Sequence, residues 1–184
     1  YFEKRDFKKA EKYYSDSIKY QKKLFGNDTP KIYYAQYGLA QIAREKNDNK
    51  KALFLINAYI NNAKRLYGEN NLTYAKSLSD FSVFTYMEKD GSKKLYPDAY
   101  KASSKSLSIF RDNYFNPKHD LDKDLLRQIS SDYNIPKGHL DILTFINDSS
   151  VSNLNDEGFE AAQLSNISYT GIALNQVSSR LEKK

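Results

Sequence analysis

Leu24-Phe25-Gly26-Asn27-Asp28 is answered by Leu66-Tyr67-Gly68-Glu69-Asn70, each residue of the second stretch standing 42 positions after its counterpart. The same offset carries Ala10 onto Ala52, Ile18 onto Ile60 and Leu39 onto Phe81. Residues that match at one fixed spacing, each in a helical context, mark a stacked helical repeat. A single unit cannot bury its own apolar face, so neighbouring units must share a core.

Working outward from that pair, Asp6 to Phe25 is expected to be one helix. Phe7, Ala10, Tyr14, Ser17, Ile18, Gln21 and Leu24 recur on one face at three- and four-residue spacing, with lysines opposite. Asp6 is the expected N-cap and Gly26 the C-terminal stop, and Pro30 falls near the first position of the next helix, where its missing N–H costs nothing. Lys31 to Lys46 is the second expected helix, with Ala35, Leu39, Ala40 and Ala43 packed closely on a partner. After the turn at Asn47-Asp48-Asn49, a third helix over Lys51 to Tyr67 buries Ala52, Leu55, Ile56, Tyr59, Ile60, Ala63 and Leu66. Leu72 to Lys89 is the fourth, carrying Ala75, Leu78, Phe81, Val83 and Phe84.

The rhythm then slips. Asp90-Gly91-Ser92-Lys93-Lys94 lengthens a connection, so that Ala99 follows Ala52 by 47 positions. Such an insertion is tolerated because loop-closure entropy grows slowly with length. Pro97 to Phe115 is the next expected helix, which assigns residues 1–116 to repeats and residues 117–184 to a C-terminal helical extension or cap. Within the extension, helices are expected over His119 to Ser130 and Ile135 to Asn147, a loop over Asp148 to Gly158, and a long closing helix from Phe159 to Lys184.

The 184 residues carry 29 basic and 23 acidic side chains, a net charge of +6 that permits phosphate binding without demanding it. Aromatic content is high, with Tyr 16, Phe 10 and no Trp. The absence of cysteine excludes disulfides, thiolate metal sites and a thiol nucleophile from this stretch. No run approaches a membrane span, and nothing has the pattern of a signal peptide. The compartment stays open, with the cytoplasm favoured. Tyr1 falls in the register of Ala43, so further repeat units are expected upstream. The sequons at Asn27, Asn71, Asn147 and Asn166 are what an Asn- and Ser-rich chain carries by chance.

Two helices per unit, an Ala early in the second helix and a closing Leu-aromatic-Gly together resemble the tetratricopeptide repeat, in the 42-residue form similar to that of kinesin light chains. Leu24, Gly26, Asp28 and Pro30, then Tyr37, Leu39, Ala40 and Ala52, then Leu66, Gly68, Ala75, Leu78, Phe81 and Ala99 carry the likeness over Tyr1 to Phe115. It implies an all-α, right-handed superhelical stack of antiparallel helix pairs, a solenoid that acts as a protein-binding scaffold. Gly38 and Asp80 stand where that family often has Asn, so an Asn-mediated grip on a peptide backbone is not expected. The segment with Asn166, Tyr169, Gly171, Ile172 and Leu174 resembles the helical lead-in to a CHAT domain, a caspase-like protease module. That likeness implies the alternative of a regulatory region whose catalytic Cys and His lie beyond residue 184.

By the repeat register, the first helices of successive units build the concave face. Tyr34, Tyr37, Gln41 and Arg44 are expected on it from one unit, and Lys76, Ser79, Val83 and Tyr86 from the next. Tyr and Arg offer wide amphipathic contact at low entropic cost, which suits a protein or peptide partner. Lys8, Lys9, Lys12, Lys19, Lys22 and Lys23 alternate with Tyr13 and Tyr20, a pattern that could track phosphates. Glu3, Asp6, Glu11 and Asp16 share that face and blunt it, so a solvated outer surface is the better reading and nucleic acid is not the expected partner.

Asp120, Asp122 and Asp124 imitate the opening of a calcium loop, but Leu125 and Ser131 stand where the loop needs Gly and Glu. His119 and His139 have no partner at metal-ligand spacing, and no nucleophile elbow, P-loop or dinucleotide fingerprint occurs. The expectation is a binding protein without cofactor, metal or catalytic residues, of open oligomeric state.

Overall fold

The computed structural model describes residues 6–27, 29–86, 97–115, 134–144, 146 and 154–166. Among these residues there are seven α-helices and no strand: α1 (Phe7–Phe25), α2 (Pro30–Glu45), α3 (Asn49–Tyr67), α4 (Leu72–Tyr86), α5 (Pro97–Phe115), α6 (Asn134–Leu143) and α7 (Leu154–Ser165). They cluster into two compact units, one holding α1 to α3 and the other α4 to α7. The helix expected over His119 to Ser130, the three aspartates after it begins, and the chain beyond Asn166 lie outside the described residues.

Helix ends repeat with the 42-residue period. Asp6 caps α1 by accepting the Lys9 backbone N–H at 3.2 Å, and Asp48 caps α3 by accepting that of Lys51 at 3.1 Å. Thr29 Oγ1 accepts the Lys31 N–H at 3.3 Å at the start of α2, and Asn71 Oδ1 accepts the Thr73 N–H at 2.8 Å at the start of α4. Each cap satisfies one of the N–H groups that a helix start leaves without a partner. Gly26 and Gly68 close α1 and α3 at φ +75° and +84°, returning their N–H groups to the carbonyls of Lys22 and Lys64. Only glycine enters that region without a Cβ clash.

In the first unit the helices run antiparallel. Along α1 and α2, Gln21 meets Thr29, Tyr14 meets Gly38 and Glu11 meets Lys46. Between α2 and α3, Tyr33 faces Tyr67, Gln36 faces Asn62 and Tyr37 faces Tyr59. Ala10, Ala35, Leu39, Ala40, Ala43, Ala52, Ile56, Tyr59 and Ala63 are buried as their spacing requires. Leu24 breaks the pattern: it is 69 % exposed, although it belongs to the apolar stripe of α1. The cause is length. Gln21 already reaches Thr29, one residue before α2 begins, so the last turn of α1 runs past its partner.

The second unit is built on the antiparallel pair α4 and α5, where Ser106 Oγ donates to the Ala75 carbonyl at 2.6 Å and Asn113 Nδ2 to the Asn70 carbonyl at 2.9 Å. Small side chains are frequent among the buried residues of the pair: Ala75, Ser79 and Ser82 on α4, Ala99, Ala102, Ser103 and Ser106 on α5. Helix α6 lies on both α4 and α5, and α7 packs on α6. Tyr86, Ala99, Ile142 and Ile146 form a core there, with Tyr100, Leu143 and Leu154 against it. The loop expected over Asp148 to Gly158 is helical from Leu154 onward. Asp156 and Glu157 in the first turn of α7 complement the positive end of its dipole, and Leu154 is held by the core.

Candidate functional site

On α2, the spacing of Tyr34, Tyr37, Gln41 and Arg44 sets them along one arc of the helix. Tyr34 is 56 % exposed and the other three are half-buried, whereas Ile32, Tyr33, Ala35, Gly38, Leu39, Ala40, Ile42 and Ala43 are buried. Behind that arc stands a tyrosine cluster. Tyr33 stacks on Tyr59 with ring centroids 5.1 Å apart and meets Tyr34 at 4.0 Å, while Tyr37 tilts against Tyr59 at 5.1 Å. Tyr67 closes the cluster edge-on to Tyr33 at 5.9 Å, and burial pushes its phenol pKa upward. Tyr34 thus presents a ring to solvent while its neighbours hold its base in place.

The four residues expected on α4 are arranged differently. Ser79 and Tyr86 are only 8 % and 3 % exposed, and Lys76 and Val83 are half-buried. The cause is α6. A Cβ added at Gly138 would lie 3.1 Å from Ser79 Oγ and 3.7 Å from Val83 Cγ2, so α6 seats directly on this arc. Tyr86 goes into the core with Ile142 and Ile146. Lys76 lies 3.8 Å from Asp80 on its own helix. Within the second unit, then, Ser79 and Tyr86 are packing residues and not an open surface.

A cleft of about 520 Å³ opens in the first unit, lined by Lys22, Asn27, Ile32, Gln36, Asn62 and Arg65. The expected lysine face of α1 is solvated, and two of its carboxylates are engaged: Asp6 pairs with Lys9 at 3.1 Å, and Glu11 with Lys46 and, at 2.8 Å, with Lys51. Those two ammonium groups hold the Glu11 carboxyl below the usual carboxylate range.

The second unit contains a polar cluster that sequence spacing did not reveal. His139 of α6 places Nδ1 2.9 Å from Ser103 Oγ of α5 and Nε2 3.4 Å from Glu157 Oε2 of α7. Tyr100 donates its hydroxyl to the same Glu157 oxygen at 2.9 Å and lies over the imidazole with centroids 6.1 Å apart. Burial lowers the His139 pKa, against the upward pull of Glu157 and Glu160. Serine, histidine and carboxylate are the residue types of a hydrolytic triad. Here Ser103 and His139 are 1 % and 0 % exposed while Glu157 is partly exposed, and the group joins three helices. The separations, 36 residues from Ser103 to His139, explain why local pattern gave no warning. Among the described residues no cluster of His, Asp or Glu has the makings of a metal site, and no helix is long and apolar enough to cross a membrane.

No protein-family model matches this chain, and a search of curated proteins returns no match.

Proposed function

We propose that this chain is a protein–protein interaction scaffold of the tetratricopeptide type, a superhelical stack of helix pairs that holds a peptide or partner domain. The observation that carries this reading is the arc of Tyr34, Tyr37, Gln41 and Arg44, the least buried side of an otherwise buried helix. Solvent-facing aromatic and Arg side chains set on a rigid base are the composition from which binding anchors are made. The 42-residue period of sequence, caps and terminal glycines supports the repeat assignment. The role is binding and not catalysis, with affinity arising from contact area and desolvation.

A photo-crosslinking residue at Tyr34, compared with one at the exposed Lys50, tests the reading in the full-length protein. A discrete adduct at position 34, lost when Gln41 is also changed to Ala, is the expected result. Identical adducts from both positions would remove the arc as a binding surface.

A further inference from the structure

The 42-residue offset sets α1 in register with α3, so the faces of one helix show what those of the other are for. On α3, Asn62 Nδ2 donates to Gln36 Oε1 of α2 at 2.8 Å, and Tyr67 meets the Tyr33 ring of α2 edge-on at 5.9 Å. Leu66 lies one turn from Asn62 on the same side, and all three residues are half-buried. Their counterparts on α1, 42 positions earlier, are Tyr20, Leu24 and Phe25, which are 63 %, 69 % and 64 % exposed. The side that α1 turns to α2 is a different one, carrying Tyr14 beside Gly38 and Gln21 bonded by Thr29. Helix α1 thus keeps in water a stripe whose equivalent on α3 is an interhelical face. Charge marks one edge of it. Lys12, Lys19 and Lys23 are all exposed and follow the seven- and four-residue spacing of the stripe itself. Of the two carboxylates on α1, Glu11 is taken by Lys46 and Lys51, which leaves Asp16 against six lysines. A second copy laid stripe to stripe would set lysine against lysine, and like charges across an interface disfavour the pairing.

We propose that the stripe of Tyr20, Leu24 and Phe25 docks an amphipathic helix of a separate protein, antiparallel to α1 as α2 is to α3. That helix carries apolar residues at three- and four-residue spacing and Asp or Glu along the edge that meets Lys12, Lys19 and Lys23. Burial of the apolar stripe supplies the affinity, and the lysines select an acidic partner and speed the encounter. The surface shares no residue with the Tyr34 arc, so the two assignments stand or fall separately.

Two synthetic helices with the same Leu spacing, one with Glu and the other with Lys at the polar positions, are titrated into the full chain while the backbone amide signals of α1 are read. The acidic helix is expected to bind saturably and shift Tyr20, Leu24 and Phe25, and the basic one to bind at least about tenfold more weakly. Leu24→Asp, at an exposed position, should abolish binding with helicity unchanged, and Lys12→Glu with Lys19→Glu should weaken it severalfold. Phe54→Ala, which removes an equally exposed ring from α3, should leave it unchanged. No binding of the acidic helix, equal binding of both, or shifts confined to α2 and α3 would overturn the proposal. Self-association that Leu24→Asp abolishes would give the face to a second copy instead. A Leu24→Cys thiol closed to maleimide in the full-length protein, with no peptide added, would give it to the same polypeptide, and either result also overturns the assignment.

Discussion

His139 Nε2 lies 3.4 Å from Glu157 Oε2 while its Nδ1 lies 2.9 Å from Ser103 Oγ, and no part of the side chain meets solvent. Nε2 is buried without a hydrogen-bond partner, its approach to Glu157 being an ion-pair distance that counts only when the ring is protonated. Ser103 Oγ also lies 2.9 Å from the Tyr100 carbonyl. The cost of protonation is the buried charge itself.

That cost sets a pH dependence. The His139 pKa lies below its ordinary 6.5 in the folded chain, by burial first, with Glu157 and Glu160 opposing. The unfolded chain therefore takes the proton more readily, and stability falls as pH drops below about 6.5 and through the folded value. The slope from this residue is at most about 1.4 kcal/mol per pH unit. Urea unfolding between pH 8 and pH 5 should show that loss, and His139→Gln should flatten it. A profile unchanged by the substitution would place the proton elsewhere.

Tyr14 stands where a side chain at position 38 would go, its ring atoms 2.4 to 2.9 Å from a Cβ built on Gly38. Gly38→Ala should cost roughly 1–3 kcal/mol, the range for overpacking, because the ring must leave its seat. With Tyr14→Ala already present, the same change should be neutral or gain up to about 1 kcal/mol from helix propensity. A double-mutant cycle by denaturant unfolding measures the difference.

Gly68→Ala forces a Cβ into φ +84° with open space around it, so its penalty is conformational and not steric. A loss of about 1–3 kcal/mol is expected, and Gly68→Asn should recover little of it, since ψ 169° lies outside the left-handed helical region that Asn tolerates. Thermal melts of the three proteins rank the effect.

Glu11→Gln removes the partner of Lys46 and Lys51 at the end of the first unit. Both lysines are more than a third exposed, so screening holds the loss to about 0.5–1 kcal/mol. The difference should shrink in 1 M salt, where the Debye length falls to about 3 Å. Tyr59→Ala, by contrast, empties the centre of the tyrosine cluster and should cost about 3–5 kcal/mol at any salt concentration.

Much of the helical layout is legible because its determinants are local. Asp6, Gly26, Pro30, Ala52 and Pro97 announce boundaries and buried positions by short-range chemistry, and α1 to α5 follow them within a few residues. What failed to show was long-range. The burial of Ser79 depends on α6 and the missing Cβ of Gly138, and that of Tyr86 on Ile142 and Ile146, all more than fifty positions downstream. The Ser103, His139 and Glu157 cluster likewise draws on three helices, none of which signals the others. Leu154 to Gly158 looked like a loop because Asn, Asp and Gly dominate it, and packing of Leu154 outweighed that propensity.

The contact between Ser106 and Ala75 has one more implication. Ser106 Oγ reaches the Ala75 backbone carbonyl directly, so α5 meets the main chain of α4 at that point. Any heavier residue there would wedge both helices apart and unseat α6 with them.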